Sequence, residues 1–355
     1  MNVLEIIFAV FAVIGAVDRI TGNHLKLGTE FEKGILSAGS LSLAMVGMIC
    51  IAPAISRFIT PILSPLCNLT GIDMSFVGSL IANDMGGASI ASSLASDKTI
   101  GSFNGLIVAS MMGCTICFTI PVALNTVDKK YHKDLLNGIL CGIATMPIGC
   151  IVSGLILKIH FLTLIINLIP MLMVSIITCI GLIIKPNLCR KVFDIIGKIV
   201  VMIITVGLAS GVFEYLTGKA IIPYMADIRE GFSTVASIAI ILSGVFPLIA
   251  FISKLFKKPF VKIGNKIGVD ENSVLGLISS LANSIPTFDL VPKMNKKGRI
   301  INMAFAVSAS FVFGDHLAFT MSFDKNYIVP LIIGKLVSGI FAVMIANLMC
   351  KKSDE

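Results

Sequence analysis

The chain has 355 residues, 56% of them hydrophobic and 14% charged, with a formal net charge of +8. Soluble globular domains carry nearer a quarter charged residues, so this sequence cannot cover a water-facing surface. The basic residues sit in short loops, and with no Trp and four Tyr to stack on bases the positive excess is not a nucleic-acid signal.

Mean hydropathy is +0.97. Many apolar stretches reach the roughly 18 or more residues that a helix needs to span a bilayer core. The expected class is therefore an all-α polytopic membrane protein. A β-barrel would show alternating segments of about ten residues, and none is present.

The first stretch, "VLEIIFAVFAVIGAV", lacks a basic leader and a small-residue cleavage site, so it is read as a retained first span over 3–18. Full spans are then expected at about 35–56, 102–124, 135–157, 161–184, 199–216, 233–253, 300–322 and 328–350, nine in all. Two further segments differ. "SFVGSLIANDMGGASIASSLA" (75–95) is interrupted by Asn83-Asp84 and Gly86-Gly87. "SVLGLISSLANSIPTFDL" (273–290) is interrupted by Asn283-Ser284 and Pro286. Polar breaks at membrane depth are tolerated only where protein or a water-filled cavity surrounds them.

Positive charge decides whether these two segments cross. Cytoplasmic loops hold the excess of Lys and Arg. If both segments turn back and the N-terminus is outside, 21 basic residues fall inside and 6 outside, with Lys335 inside a span. If both cross, the split is about 13 against 14 and no bias remains. Two re-entrant broken hairpins are therefore expected, with a cytoplasmic C-terminus.

An internal repeat agrees. "GAVDRITGN" (15–23) resembles "GVFEYLTGK" (211–219), "EKG" (32–34) resembles "REG" (229–231) and "GID" (71–73) resembles "GVD" (268–270), at offsets of 196 or 197. "IAND" (81–84) resembles "LANS" (281–284) at offset 200, and "VSGL" (152–155) resembles "VSGI" (337–340) at offset 185. The expected organisation is a first inverted repeat at 1–158, a linking helix and cytoplasmic loop at 159–195, and a second repeat at 196–355. Inverted repeats with broken helices describe a secondary transporter, with substrate held near the midplane.

Ionisable groups inside a bilayer are costly and are functional candidates by default. Here they are Asp84, Asp315, His316 and Lys335, with Asp289 near the end of a broken segment. Asp84 lies beside two glycines that let the backbone turn sharply, and its carboxylate either holds a cation or caps a half-helix. Asn83 and Asn283 sit at matching breaks, where each amide binds a substrate hydroxyl or ammonium, or satisfies its own broken backbone. Asp315 and Lys335 lie ten residues either side of Lys325, so in an antiparallel helical hairpin they reach similar depth and form an ion pair, structural or gating. His316 points about 100° away from Asp315 on a helix, so it either senses pH or bonds a neighbouring helix. In "ASMMGCTICFTIPVAL" (109–124), Met111, Met112 and Gly113 allow close packing, Thr115 and Thr119 offer hydroxyls, and Pro121 kinks or ends the span. Thr115, His316 and Asp315, the last as a second ligand if not a structural anchor, are carried as substrate-site candidates beside Asp84, Asn83 and Asn283.

Nine cysteines are an odd number, and "CTIC" (114–117) has no second pair or His cluster with it. The thiols read as small buried hydrophobes, with no metal site. No HExxH or assembled nucleophile is present, so an intramembrane enzyme is disfavoured. Acids outnumber bases at depth, which favours a small cation or zwitterion as substrate.

"AVDRI" (16–20), "LAMVGM" (43–48), "DMGG" (84–87), "IPVAL" (120–124) and "MPIGCI" (146–151) resemble the ethanolamine utilization permease family. So do "INMAFAVSASFVFGDHLAF" (301–319) and "GKL" (334–336), in consistent order along nearly the whole chain. The resemblance implies a multi-pass permease of the bacterial cytoplasmic membrane that imports ethanolamine for a cobalamin-dependent ammonia-lyase pathway in a microcompartment. It implies most use at low external pH, where the amine is almost wholly protonated. Three residues depart from the family pattern. Cys114 stands where Pro follows "SMMG", Ser284 where a second Asn is usual, and Asp289 where a small residue is usual. They put the local shape of the third span and the second hairpin in question.

The function expected is import of protonated ethanolamine by alternating access. The alternative is ion-coupled transport of another small cationic or zwitterionic metabolite. Partners are ethanolamine and membrane lipid, with no cofactor beyond a coupling ion, H⁺ or Na⁺. Oligomeric state is left open, a homo-oligomer included.

Overall fold

Backbone that finds no water partner must close its hydrogen bonds within the segment, and the apolar runs here do so as helix. The computed structural model describes residues 3–81 and 84–352, and the side chains of these except Ile81, Asp84, Lys257, Lys351 and Lys352. Among the described residues there is no strand.

Helix α1 (Val3–Ile20) is followed by α2 (Leu27–Leu41), which runs through a π-helical turn at Ser42–Val46 into α3 (Gly47–Thr70). Two short helices come next, α4 (Phe76–Ile81) and, after a 3₁₀ turn at Asp84–Gly86, α5 (Gly87–Leu94). Then α6 (Lys98–Ser102) and α7 (Ile120–Thr126) are the two ends of one rod whose middle is π-helical at Phe103–Gly113 and Thr115–Thr119. Four long helices follow: α8 (His132–Ile156), α9 (Phe161–Ile184), α10 (Pro186–Thr217) and α11 (Ile228–Ile267). The chain closes with α12 (Glu271–Ala282), α13 (Ile285–Leu290), α14 (Lys296–Ala309), α15 (Asp315–Phe323) and α16 (Ile328–Lys352).

Among the described residues, seven rods are long and apolar enough to cross a membrane: Leu27–Thr70, Lys98–Thr126, Lys129–Ile156, Phe161–Ile184, Pro186–Thr217, Ile228–Phe256 and Lys325–Cys350. They take in seven of the nine expected spans, and several overrun the expected bounds. The other two expected spans are not among these rods. The stretch 300–322 is not one helix, because it is broken between Ala309 and Asp315. The stretch 3–18 is an 18-residue helix that also carries Glu5, Asp18 and Arg19. The cytoplasmic loop expected before 199 is also corrected. Pro186 starts α10 one residue after the end of α9, its missing N–H costing nothing at a first helical position.

Both broken segments fold back on themselves. At Gly78 of α4 a Cβ would lie 2.4 Å from the Gly87 carbonyl oxygen, so α4 and α5 touch through their backbones. In the second segment the Thr287 hydroxyl of α13 donates to the Gly276 carbonyl at 2.8 Å and lies 2.9 Å from the Ser280 hydroxyl of α12.

Each hairpin is latched at its base by an aspartate. Asp73 accepts from Ser75 N at 2.9 Å on the entering side, and from Ser96 N at 2.9 Å and Asp97 N at 3.2 Å on the leaving side. Asp270 accepts from Ser273 N at 2.8 Å and from the leaving chain at Asn295 N. The residue two before each latch is a glycine in the left-handed region, Gly71 at φ 72° and Gly268 at φ 80°. An asparagine on the next helix reaches back to each entry serine: Asn104 Nδ2 to Ser75 Oγ at 2.8 Å, and Asn302 Nδ2 to the Ser273 carbonyl at 2.9 Å.

The crossing of the long helices repeats in the same way. A Cβ at Gly47 would lie 1.8 Å from the Ile204 carbonyl, and one at Gly244 would lie 2.1 Å from the Phe8 carbonyl. Gly34 meets Ser243, and Gly231 meets Val46. Members of each pair stand 196 or 197 residues from their counterparts, with the partners exchanged. Small residues at crossings let backbones approach closely where apolar burial gives no net drive inside lipid.

Candidate functional site

The break at 310–314 is held at three points by the end of α12. Phe311 N donates to the Ser280 carbonyl and Phe313 N to the Leu281 carbonyl, each at 2.8 Å. Those are carbonyls of the last turn of α12, which no intrahelical donor can satisfy. Gly314 closes on the same helix end, where a Cβ would sit 2.0 Å from the Ala282 carbonyl oxygen. Phe311 adopts φ 62°, a region that bulky residues avoid and that marks functional sites when the surroundings enforce it.

With Phe311 N turned away, the Val307 carbonyl of α14 loses its ordinary partner four residues on. Thr115 supplies the replacement, donating its hydroxyl at 3.1 Å. The structure therefore places Thr115 as the cap of a broken helix. Thr115→Val keeps the shape and strands that carbonyl. It is expected to cost about 1–3 kcal/mol, read as a lower melting temperature in detergent.

His316 and Lys335 are buried, at 0% and 1% exposure. Lys335 Nζ donates to the Ser110 carbonyl at 2.7 Å and lies 3.1 Å from His316 Nδ1. An ammonium can only donate, so Nδ1 is the acceptor and the ring proton is assigned to Nε2. The Phe311 ring lies 5.1 Å from His316, and the Phe118 ring meets Phe311 edge-on at 5.7 Å. Ser110 and Phe118 belong to the π-helical stretches. Such stretches usually last a single turn, so two nearly consecutive ones beside a broken helix are unusual. Asp315 is the first residue of α15, half-buried and adjacent to His316, at the helix end that suits a carboxylate.

Asn283 ends α12, and its Oδ1 accepts from Ile285 N at 2.8 Å, so it caps the start of α13. Asn83 lies outside the described residues, as does the carboxylate of Asp84. The Asp84–Gly86 turn itself packs against the 103–113 π-helix, the 42–46 π turn and α15. Cys114 and Cys117 are buried, and the described residues contain no cluster of three metal-ligating side chains.

Two clefts of about 420 Å³ flank this region. One runs between α3, α5 and α11 and is lined by Pro53, Ser93, Glu230 and Phe319, with Phe323 at the end of α15. The other runs between α2, α11 and α12 and is lined by Glu30, Lys33, Ala250 and Asn283. Pro53 matches Ala250 and Lys33 matches Glu230 at an offset of 197, so the clefts are built from equivalent positions and differ in charge. Lys33 is bonded to Glu30 at 2.6 Å. Near the Glu230 cleft, Arg229 donates to both oxygens of Asp227, which holds that carboxyl down to about 2. A larger cavity of about 640 Å³, between α1, α11 and α15, is mostly apolar and touches neither hairpin.

Long apolar rods, two broken hairpins and a buried charged break define a multi-pass α-helical membrane protein. A model of the family described as "Ethanolamine utilisation protein, EutH" matches residues 1–349, and the chain belongs to that family. A protein of Listeria monocytogenes named "Probable ethanolamine permease EutH" is 45% identical over 99% of this chain and 97% of its own length. One of the same name from Salmonella typhimurium is 35% identical over 100% and 97%. "Uncharacterized protein YxeR" of Bacillus subtilis is 38% identical over 97% and 93%. No solved structure matches.

Proposed function

We propose that this protein is a permease that imports ethanolamine, mainly as the protonated amine, across the bacterial cytoplasmic membrane by alternating access. The observation that carries the reading is the family match along essentially the whole chain, with relatives named as ethanolamine permeases at 35–45% identity. The reciprocal glycine crossings and the two aspartate latches support an arrangement of two inverted repeats at 1–158 and 196–355, with the hairpins re-entering from opposite faces. In that arrangement, with the N-terminus outside, the Glu230 cleft opens outward and the Lys33 cleft opens to the cytoplasm. Asp84, at the tip of the first hairpin, holds the ammonium, and Asp315 is its second ligand. Asn83 and Asn283 face the hydroxyl from the two tips.

Uptake of labelled ethanolamine into proteoliposomes, measured against pH with and without imposed Na⁺ and H⁺ gradients, tests this. Asp84→Asn and Asp315→Asn are expected to reduce uptake at least tenfold. Full uptake in both variants would sink the site assignment. No uptake by the unmodified protein under any gradient would sink the function. If another metabolite competes and ethanolamine does not, the chain is an ion-coupled transporter of that metabolite.

A further inference from the structure

Lys335 has no role in the mechanism just proposed, yet its ammonium is buried at 1% exposure beside the break at 310–314. A buried charge is retained only where acceptors surround it. Two of those acceptors are the Ser110 carbonyl at 2.7 Å and His316 Nδ1 at 3.1 Å. Neither is an anion. A carbonyl and a neutral imidazole suit the N–H donors of a primary ammonium better than they suit a metal ion, and the Phe311 ring packs on the imidazole.

The surroundings are those of a site. The chain is unwound at 310–314 and Phe311 is held at φ 62°. The two equivalent clefts border residues next to this segment. One borders Phe319 and Phe323, and the other borders Ala282, whose carbonyl meets Gly314. Lys335 also presents the same –CH₂–NH₃⁺ terminus as ethanolammonium. Its four-carbon stem is flexible enough to withdraw.

We propose that Ser110, His316 and the neighbouring Phe311 ring form a second recognition site for a primary ammonium group, visited in turn with the one at Asp84 and Asp315, which Lys335 fills with its own ammonium until the substrate's displaces it. This rests on the reading of the protein as an ethanolamine permease. It makes Lys335 an internal competitor. Removing its charge should tighten binding of the substrate while slowing its release.

Purified wild-type, Lys335→Ala and Lys335→Met proteins would be melted in detergent at matched ionic strength. The additions are ethylammonium, ethanolammonium, tetramethylammonium and Na⁺. The Ala variant is expected to melt below wild type and to recover most of the difference with either primary amine. Tetramethylammonium, which has no N–H, and Na⁺ should not restore it. By calorimetry both variants should bind ethanolammonium at least tenfold more tightly than wild type, with turnover reduced. Equal affinity in wild type and Lys335→Met overturns the proposal. So does equal stabilisation by Na⁺ or tetramethylammonium, or failure of both variants to fold even with amine present. Wild-type uptake is scored separately. Its absence would sink the permease reading, while the melting series still reports on the ammonium site.

Discussion

Gly314→Ala is expected to abolish ethanolamine uptake and to lower stability by about 3–5 kcal/mol. The new methyl would sit 2.0 Å from the Ala282 carbonyl oxygen, which is backbone and has no rotamer to yield. To make room, the 310–314 segment must leave the end of α12. That breaks the bonds from Phe311 N to Ser280 and from Phe313 N to Leu281. Each buried group left unpaired costs about 1–3 kcal/mol. The same movement pulls Phe311 away from His316, so the site is lost with the fold of the break. Gly39→Ala is the control, because a Cβ there meets nothing within 4 Å, and it should leave melting and uptake unchanged. Normal uptake in Gly314→Ala would show that the contact between hairpin and break is dispensable.

The second large effect concerns the latches. Asp73→Ala and Asp270→Ala should each lower stability by about 2–4 kcal/mol, since hydrogen bonds to a charged acceptor contribute about 1.5–3 kcal/mol apiece. In each case the hairpin base would come apart where the chain enters and leaves. Hydrogen exchange reads this directly. The amides of Ser75 and Ser96 should lose protection in the first variant, and those of Ser273 and Asn295 in the second. Because the latches serve separate hairpins, the double variant should show a near-additive loss. Unchanged protection at Asn295 in Asp270→Ala would remove the latch from the account.

Much of the architecture was legible along the chain. The seven long rods follow from runs of apolar residues, because no other single-segment backbone satisfies itself in lipid. The two broken segments were visible as polar interruptions, and both fold back in the structure. The repeat of "GID" and "GVD" marked the latches before their role was apparent. Asp73 and Asp270 could have been singled out there, since each follows a glycine that turns the chain into a hairpin.

The site was less legible. The run 300–322 has the composition of a span, yet it breaks at Ser310–Gly314. Nothing local demands that break. It forms because the end of α12 offers unsatisfied carbonyls, and only the folded chain brings that helix end to Phe311. The π-helical stretches of 103–119 carry no sequence mark for the same reason, since their backbone geometry answers to the helices packed around them. The depth argument that set Lys335 opposite Asp315 assumed a continuous helix. With the helix broken, Lys335 also meets His316, together with a carbonyl of Ser110 that no side-chain pattern could announce.

The sequence by itself determined the class, the rods and the positions of the two broken segments. These depend on apolar length and on turn chemistry, which are local properties. The tertiary structure decided where the last rod breaks, that Thr115 caps the break, and which groups receive the buried ammonium. Those features are exchanges of backbone hydrogen bonds between segments far apart in the chain, and such exchanges exist only once the segments meet.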